Sequence, residues 1–151
     1  MSHLKPCQLI AKDARILQAM LTERCGREGL LESLLREKLS TAKVVQPQEI
    51  APGVVTLYSR VRYRVDGQAA TTRIVIHDAA QEVVGATLPI TIPRGLALLG
   101  LAEREMATFS AMTGVTETIH IEEIVYQPQA AGRLMAANRA ATVPGPGDPI
   151  P

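Results

Sequence analysis

The sequence predicts an α+β fold: a short N-terminal antiparallel helical hairpin, then an antiparallel sheet carrying one short helix. Two observations predict it. Apolar residues recur with period 3.6 before about residue 45 and with period 2 after Pro47, Pro52 and Gly53. Turn-forming Asp66-Gly67 and Met112-Thr113-Gly114 fall between alternating segments, where hairpin turns belong. Residues 1–45 then form a helical arm, 46–130 a globular domain and 131–151 a flexible tail rich in Ala, Pro and Gly.

In the arm, Ile16, Leu17, Met20 and Leu21 make one helical stripe, with Asp13 as an acid in the first turn. Gly26 and Gly29 interrupt it. Leu30, Leu31, Leu34, Leu35 and Leu39 make a second stripe, which places Glu32, Arg36, Glu37 and Lys38 on the outer face.

In the domain, residues 57–65 alternate. Leu57, Ser59, Val61, Tyr63 and Val65 share one face, and Tyr58, Arg60, Arg62 and Arg64 share the other. After the turn at Asp66-Gly67, a strand containing Ile74 and Ile76 returns. Residues 86–92 are apolar, but Pro89 restricts them to an edge or a bulge. Pro93-Arg94-Gly95 opens a short helix over 96–101. Residues 105–111 and 115–126 form the last hairpin. Residues 130–141 include six Ala and begin helix-like, whereas the final residues, with Pro144, Pro146, Pro149 and Pro151, suit neither helix nor central strand.

Composition narrows the function. With 46% apolar and 21% charged residues, the 151-residue chain can bury a core without disulfide or metal. Only 3% of residues are aromatic, which argues against a base-stacking platform. Net charge is +1, divided as +3 over 1–43, −3 over 44–130 and +1 over 131–151. That balance disfavours direct DNA binding. No signal segment or membrane span is legible, and Cys7 and Cys25 read as free thiols in a reducing compartment, so a cytoplasmic monomer is expected.

Catalytic and metal motifs are missing: there is no nucleophile elbow, P-loop or dinucleotide fingerprint, and His3, His77 and His120 are far apart. The sequence therefore predicts no enzyme activity, cofactor or metal. Glu122 and Glu123 are adjacent on a strand and should diverge unless a bulge intervenes. Arg60, Arg62 and Arg64, spaced by about 6.6 Å on one face, are the strongest exposed signal. Arg73 could join them from the paired strand, giving a cationic surface for phosphate or for an acidic protein patch.

Three segments carry a family likeness. Val55-Thr56-Leu57-Tyr58-Ser59-Arg60-Val61, Ile92-Pro93-Arg94-Gly95-Leu96-Ala97-Leu98-Leu99-Gly100-Leu101 and Ile124-Val125-Tyr126-Gln127-Pro128 resemble the C-terminal domain of the Gre-like transcription factors. The likeness extends over about residues 8–132 and is nearest to the short-armed branch of that family, the regulators of nucleoside diphosphate kinase. It implies a bent antiparallel sheet like that of FK506-binding proteins, cradling a short helix. It also implies docking on RNA polymerase near the mouth of the secondary channel, with Pro93, Arg94 and Gly95 near the contact; the exposed strand arginines Arg60 and Arg62, singled out by their alternation rather than by the likeness, are expected to add to it.

In true Gre factors, acidic residues at the arm tip help to hold the polymerase's catalytic magnesium. Here Glu23 and Glu28 are offset by Arg24 and Arg27. A helix of about twelve residues also spans only about 18 Å. The expected function is a non-catalytic RNA polymerase-binding regulator of transcription that does not stimulate transcript cleavage. The alternatives are a prolyl isomerase-like enzyme, for which four aromatic residues make a poor pocket, and a true cleavage factor using Glu23 and Glu28.

Overall fold

A computed structural model describes residues 7–24, 29–111 and 113–142. The arm consists of α1 (Ala11–Glu23) and α2 (Leu30–Thr41), whose stripes meet: Leu17, Met20, Leu31, Leu34 and Leu35 are all buried. Its flanks hold a feature that the periodicity did not suggest. β1 (Gln8–Ile10) and β2 (Lys43–Val45) pair in parallel across the helical hairpin. The expectation that residues before 45 are helical only is thereby corrected. Three-residue strands are too short to show a period, and this pairing joins residues 35 apart, Gln8 with Lys43.

Two further expectations for the arm are corrected. Glu32 and Lys38 are buried rather than on the outer face: Lys38 lies at the root of α2, which packs against the domain as well as against α1, and Glu32, in the first turn, is covered within the arm and bonded by Arg36. Nor is the arm a separate body. One apolar cluster runs from Leu9, Leu17 and Leu35 through Val55, Val61 and Leu96 to Phe109 and Ile121.

The domain is a five-stranded sheet of β3 (Arg60–Val65), β4 (Thr71–Ile76), β5 (Thr87–Pro89), β6 (Met106–Ser110) and β7 (Thr116–Tyr126), in the order β5-β4-β3-β7-β6. Val61 and Tyr63 face the core, as the alternation predicts. At the first turn Asp66 and Gly67 both take positive φ (51° and 72°), and Gln68 N–H bonds the Val65 carbonyl, a type I′ geometry. The ladder starts at Arg60 rather than at Leu57, because Tyr58 adopts φ 70° and the chain turns there.

The sheet is antiparallel except that β5 runs parallel to β4. Residues 77–86 cross over between those two strands instead of turning back. Pro89 lies on the edge strand, where its missing N–H costs no ladder bond. Against the inner face packs α3 (Pro93–Leu98), three residues shorter at its end than the sequence suggests. α4 (Pro128–Thr142) crosses the boundary placed at 130/131 and is held by Arg133, which donates to the carbonyls of Pro47 (2.7 Å) and Ile50 (2.9 Å). The Pro-rich end from 143 lies outside the described residues.

Candidate functional site

α3 owes its position to two close fits. Pro93 stands at the first turn, where no N–H is needed, and is buried. Gly95 is buried against the β5 edge. A Cβ there would overlap the Pro89 carbonyl oxygen and come within 2.7 Å of its carbon. Gly95 is therefore required by close approach rather than by a positive φ. Gly100 meets both demands: its φ is +88°, and a Cβ would come within 2.8 Å of Cys7 Cβ. Both glycines have structural reasons to be where they are.

Arg94 is the polar member of this segment that reaches solvent, with its side chain 38% exposed. Its guanidinium donates to Glu117 at 2.9 and 3.4 Å. Glu117 pairs with Phe109 across β6 and β7 and so shares the inner face of the sheet. Exposed Ile92, Pro93, Arg94, Phe109 and Glu117 line a cleft of about 260 Å³. The arrangement suits an apolar contact with one fixed, charge-assisted hydrogen-bonding group beside it.

Arg60, Arg62 and Arg64 lie on the opposite face of the sheet from Phe109 and Glu117. The five predicted site residues thus form two groups, Pro93, Arg94 and Gly95 on one side and Arg60 and Arg62 on the other. A bulge does intervene on β7: Tyr63 pairs with Ile121 but Arg62 with Glu123. Glu122 and Glu123 consequently converge, and Arg62 bridges them at 3.2 and 2.6 Å. Arg64 also bonds Glu122. The hydrogen bond from Arg64, supported by Arg62, holds the Glu122 carboxyl below its usual range. Two of the three arginines are therefore neutralised on the protein itself. Arg60 is exposed and, among the described residues, makes no ion pair.

The arm root adds two groups that the sequence reading misplaced or undervalued. Asp13 is buried, and its carboxylate accepts the Leu57 N–H at 3.0 Å. Burial pushes its carboxyl up, opposed by that bond. Lys38 is buried with its Nζ on the carbonyl of Leu99 and, at 3.3 Å, of Ala97. Burial pulls its ammonium down to about 8. Each helix of the arm is thus pinned to the domain by one buried charge. Lys38 looks like an ordinary solvated residue in the sequence; only its i+4 relation to the buried Leu34 places it near the apolar stripe. The tip acid Glu23 is exposed, whereas Glu28 and Arg27 lie outside the described residues. No group of three or more His, Cys, Asp and Glu gathers among the described residues to hold a metal. None of their helices is long and apolar enough to cross a membrane.

A helical hairpin rooted in a curled, antiparallel-rich sheet, with the 92–101 segment as its inner helix, defines a Gre-like architecture. The solved structure of a prokaryotic transcription elongation factor GreA/GreB from Nitrosomonas europaea matches 80% of this chain and 99% of its own, with a TM-score of 0.63 and 29% identity. Regulators of nucleoside diphosphate kinase from Escherichia coli K12 and Shigella flexneri are each 32% identical over 116 residues, covering 75% of this chain and 85% of theirs. No family model matches. On this identity and coverage the chain belongs to the Gre-like family, in the branch of the regulators of nucleoside diphosphate kinase.

Proposed function

We propose that the protein is a non-catalytic regulator that binds RNA polymerase through the start of α3, near the mouth of the secondary channel, and does not stimulate transcript cleavage. The observation that carries this reading is the construction of the α3 segment. Pro93 and Gly95 are spent on fixing the helix, while Ile92 and Arg94 are left outward beside the cleft. Buried neighbours on every following residue to Gly100 make the platform rigid, so little ordering entropy opposes binding. The likeness of this segment to the Gre-like docking element supports the choice of partner. We read the domain as built like an FK506-binding protein but without its activity: Phe109, the one Phe of the chain, is 1% exposed and committed to the core.

The arm supports the regulatory half of the reading. α1 and α2 have 13 and 12 residues, a reach of about 20 Å, enough to obstruct an entrance. The test is binding to core polymerase by the wild type and by Arg94→Glu, with melting curves for both. Wild-type binding that Arg94→Glu weakens at least tenfold without unfolding supports the reading. No wild-type binding overturns the function, and unchanged affinity in the folded variant overturns the site.

A further inference from the structure

We propose that a groove on the outer face of the sheet, centred on Arg60, is a second contact surface for RNA polymerase, taking a polymerase segment that presents a carboxylate next to an apolar side chain. This presupposes polymerase docking as the function. The groove encloses about 470 Å³ and is lined by Tyr58, Arg60, Ile74, Val125 and Tyr126.

Two backbone irregularities build it. Tyr58 takes φ 70°, a conformation costly for a residue with a Cβ, and that turn presents its ring at 40% exposure. On β7 a register shift between Arg60 and Val61 leaves Val125 as an extra residue, so that Val125 and Tyr126 stand out together at 48% and 51% exposure. Arg60 pairs with Tyr126 across the ladder, in the middle of this apolar surface.

Charge selects the occupant. Arg62 and Arg64 are satisfied by Glu122 and Glu123, whereas Arg60 has no carboxylate partner among the described residues. A symmetric contact with a second copy would set Arg60 against Arg60 with no acid lining the groove, so self-association is disfavoured. A carboxylate against Arg60, with an apolar side chain between the tyrosines, satisfies every group present. Position selects the source. Leu57, next to Tyr58, is bonded to Asp13 at the root of α1. The groove therefore sits where the arm leaves the domain, and the rim of any channel that receives the arm meets it. The α3 cleft lies at the other end of β7, nine residues away at Glu117, about 30 Å along the strand.

The experiment places a photoreactive benzoylphenylalanine at position 58 or, separately, at 94, in the full chain bound to a stalled elongation complex. Adducts are mapped by mass spectrometry. The expected result is that both positions cross-link to protein at different polymerase segments, the 58 adduct on one containing Asp or Glu. Arg60→Glu is expected to lower affinity about tenfold, and Tyr58→Gly, which relieves the backbone and removes the ring, to lower it without loss of melting temperature. Cross-linking from 94 but not 58, adducts from 58 on nucleic acid or a second copy, or full affinity in both folded variants overturns the second surface and leaves docking intact. Absence of adducts from both positions, together with no measurable binding, overturns the docking itself.

Discussion

Lys38 Nζ donates to the carbonyl of Leu99, joining the second helix of the arm to the end of the segment that carries Arg94. With Asp13 bonded to Leu57, it gives the hairpin two buried polar anchors within an apolar root. An arm fixed in this way presents its tip at a set angle to α3.

The depressed ammonium makes stability depend on pH. Lys38 releases its proton near 8 in the folded chain but near 10.4 when unfolded. Between those values the unfolded state binds more protons, so this group makes stability rise with pH. Cys7 opposes it above about 9, because burial raises the folded thiol while the unfolded one ionises. Urea midpoints should therefore increase from pH 8 to 9, and Lys38→Met should flatten that rise. An unchanged slope in the variant would contradict the assignment.

Gly95→Ala should destabilise the fold by about 2–3 kcal/mol or more, since the added carbon must displace the Pro89 backbone. Gly132→Ala is the control. A Cβ there meets nothing within 4 Å, and alanine in a helix interior should add up to about 1 kcal/mol. Chemical denaturation measures both, and equal effects would show that the packing at Gly95 is looser than described.

Carboxyl titration by NMR should find Glu122 titrating below the usual range. Arg64→Ala should move it back up, because Arg64 is its foremost partner. Solvent screens this half-exposed network, so these pairs should add little to stability. No upward movement in the variant would mean that Arg62 alone holds the carboxylate.

The wild type should not stimulate cleavage in a stalled elongation complex with labelled RNA. Glu23 is exposed on a short arm and flanked by Arg24, and the arm region as a whole carries +3 over 1–43. Such a tip is a weak ligand for magnesium. Cleavage by the wild type that Glu23→Ala or Glu28→Ala abolishes would identify a true cleavage factor instead.

Much of the framework is legible because it is local. The Leu stripes, the Asp66-Gly67 turn and the edge placement of Pro89 follow from spacing and residue chemistry alone. Long-range pairings are not legible in this way. β1 and β2 have three residues each and meet only because the hairpin between them folds back. β5 joins in parallel through a ten-residue crossover that carries no period. Lys38 is misread because charge predicts exposure, whereas the carbonyls of Ala97 and Leu99 that accept from it are visible only in three dimensions. For the candidate site, Arg94 could be found from its segment, but its partner Glu117 and the separation from Arg60 across the sheet depend on register. The convergence of Glu122 and Glu123 depends on one bulge, a condition that the sequence could state but not decide.

The most direct test of the central claim is competition. Fluorescently labelled protein is titrated with core RNA polymerase, and an unlabelled Gre factor is then added. Saturable binding is expected, which the Gre factor displaces completely and which Arg94→Glu weakens at least tenfold while its melting curve stays within a few degrees of wild type. Binding that survives a saturating excess of Gre factor, or no binding at all, would contradict it.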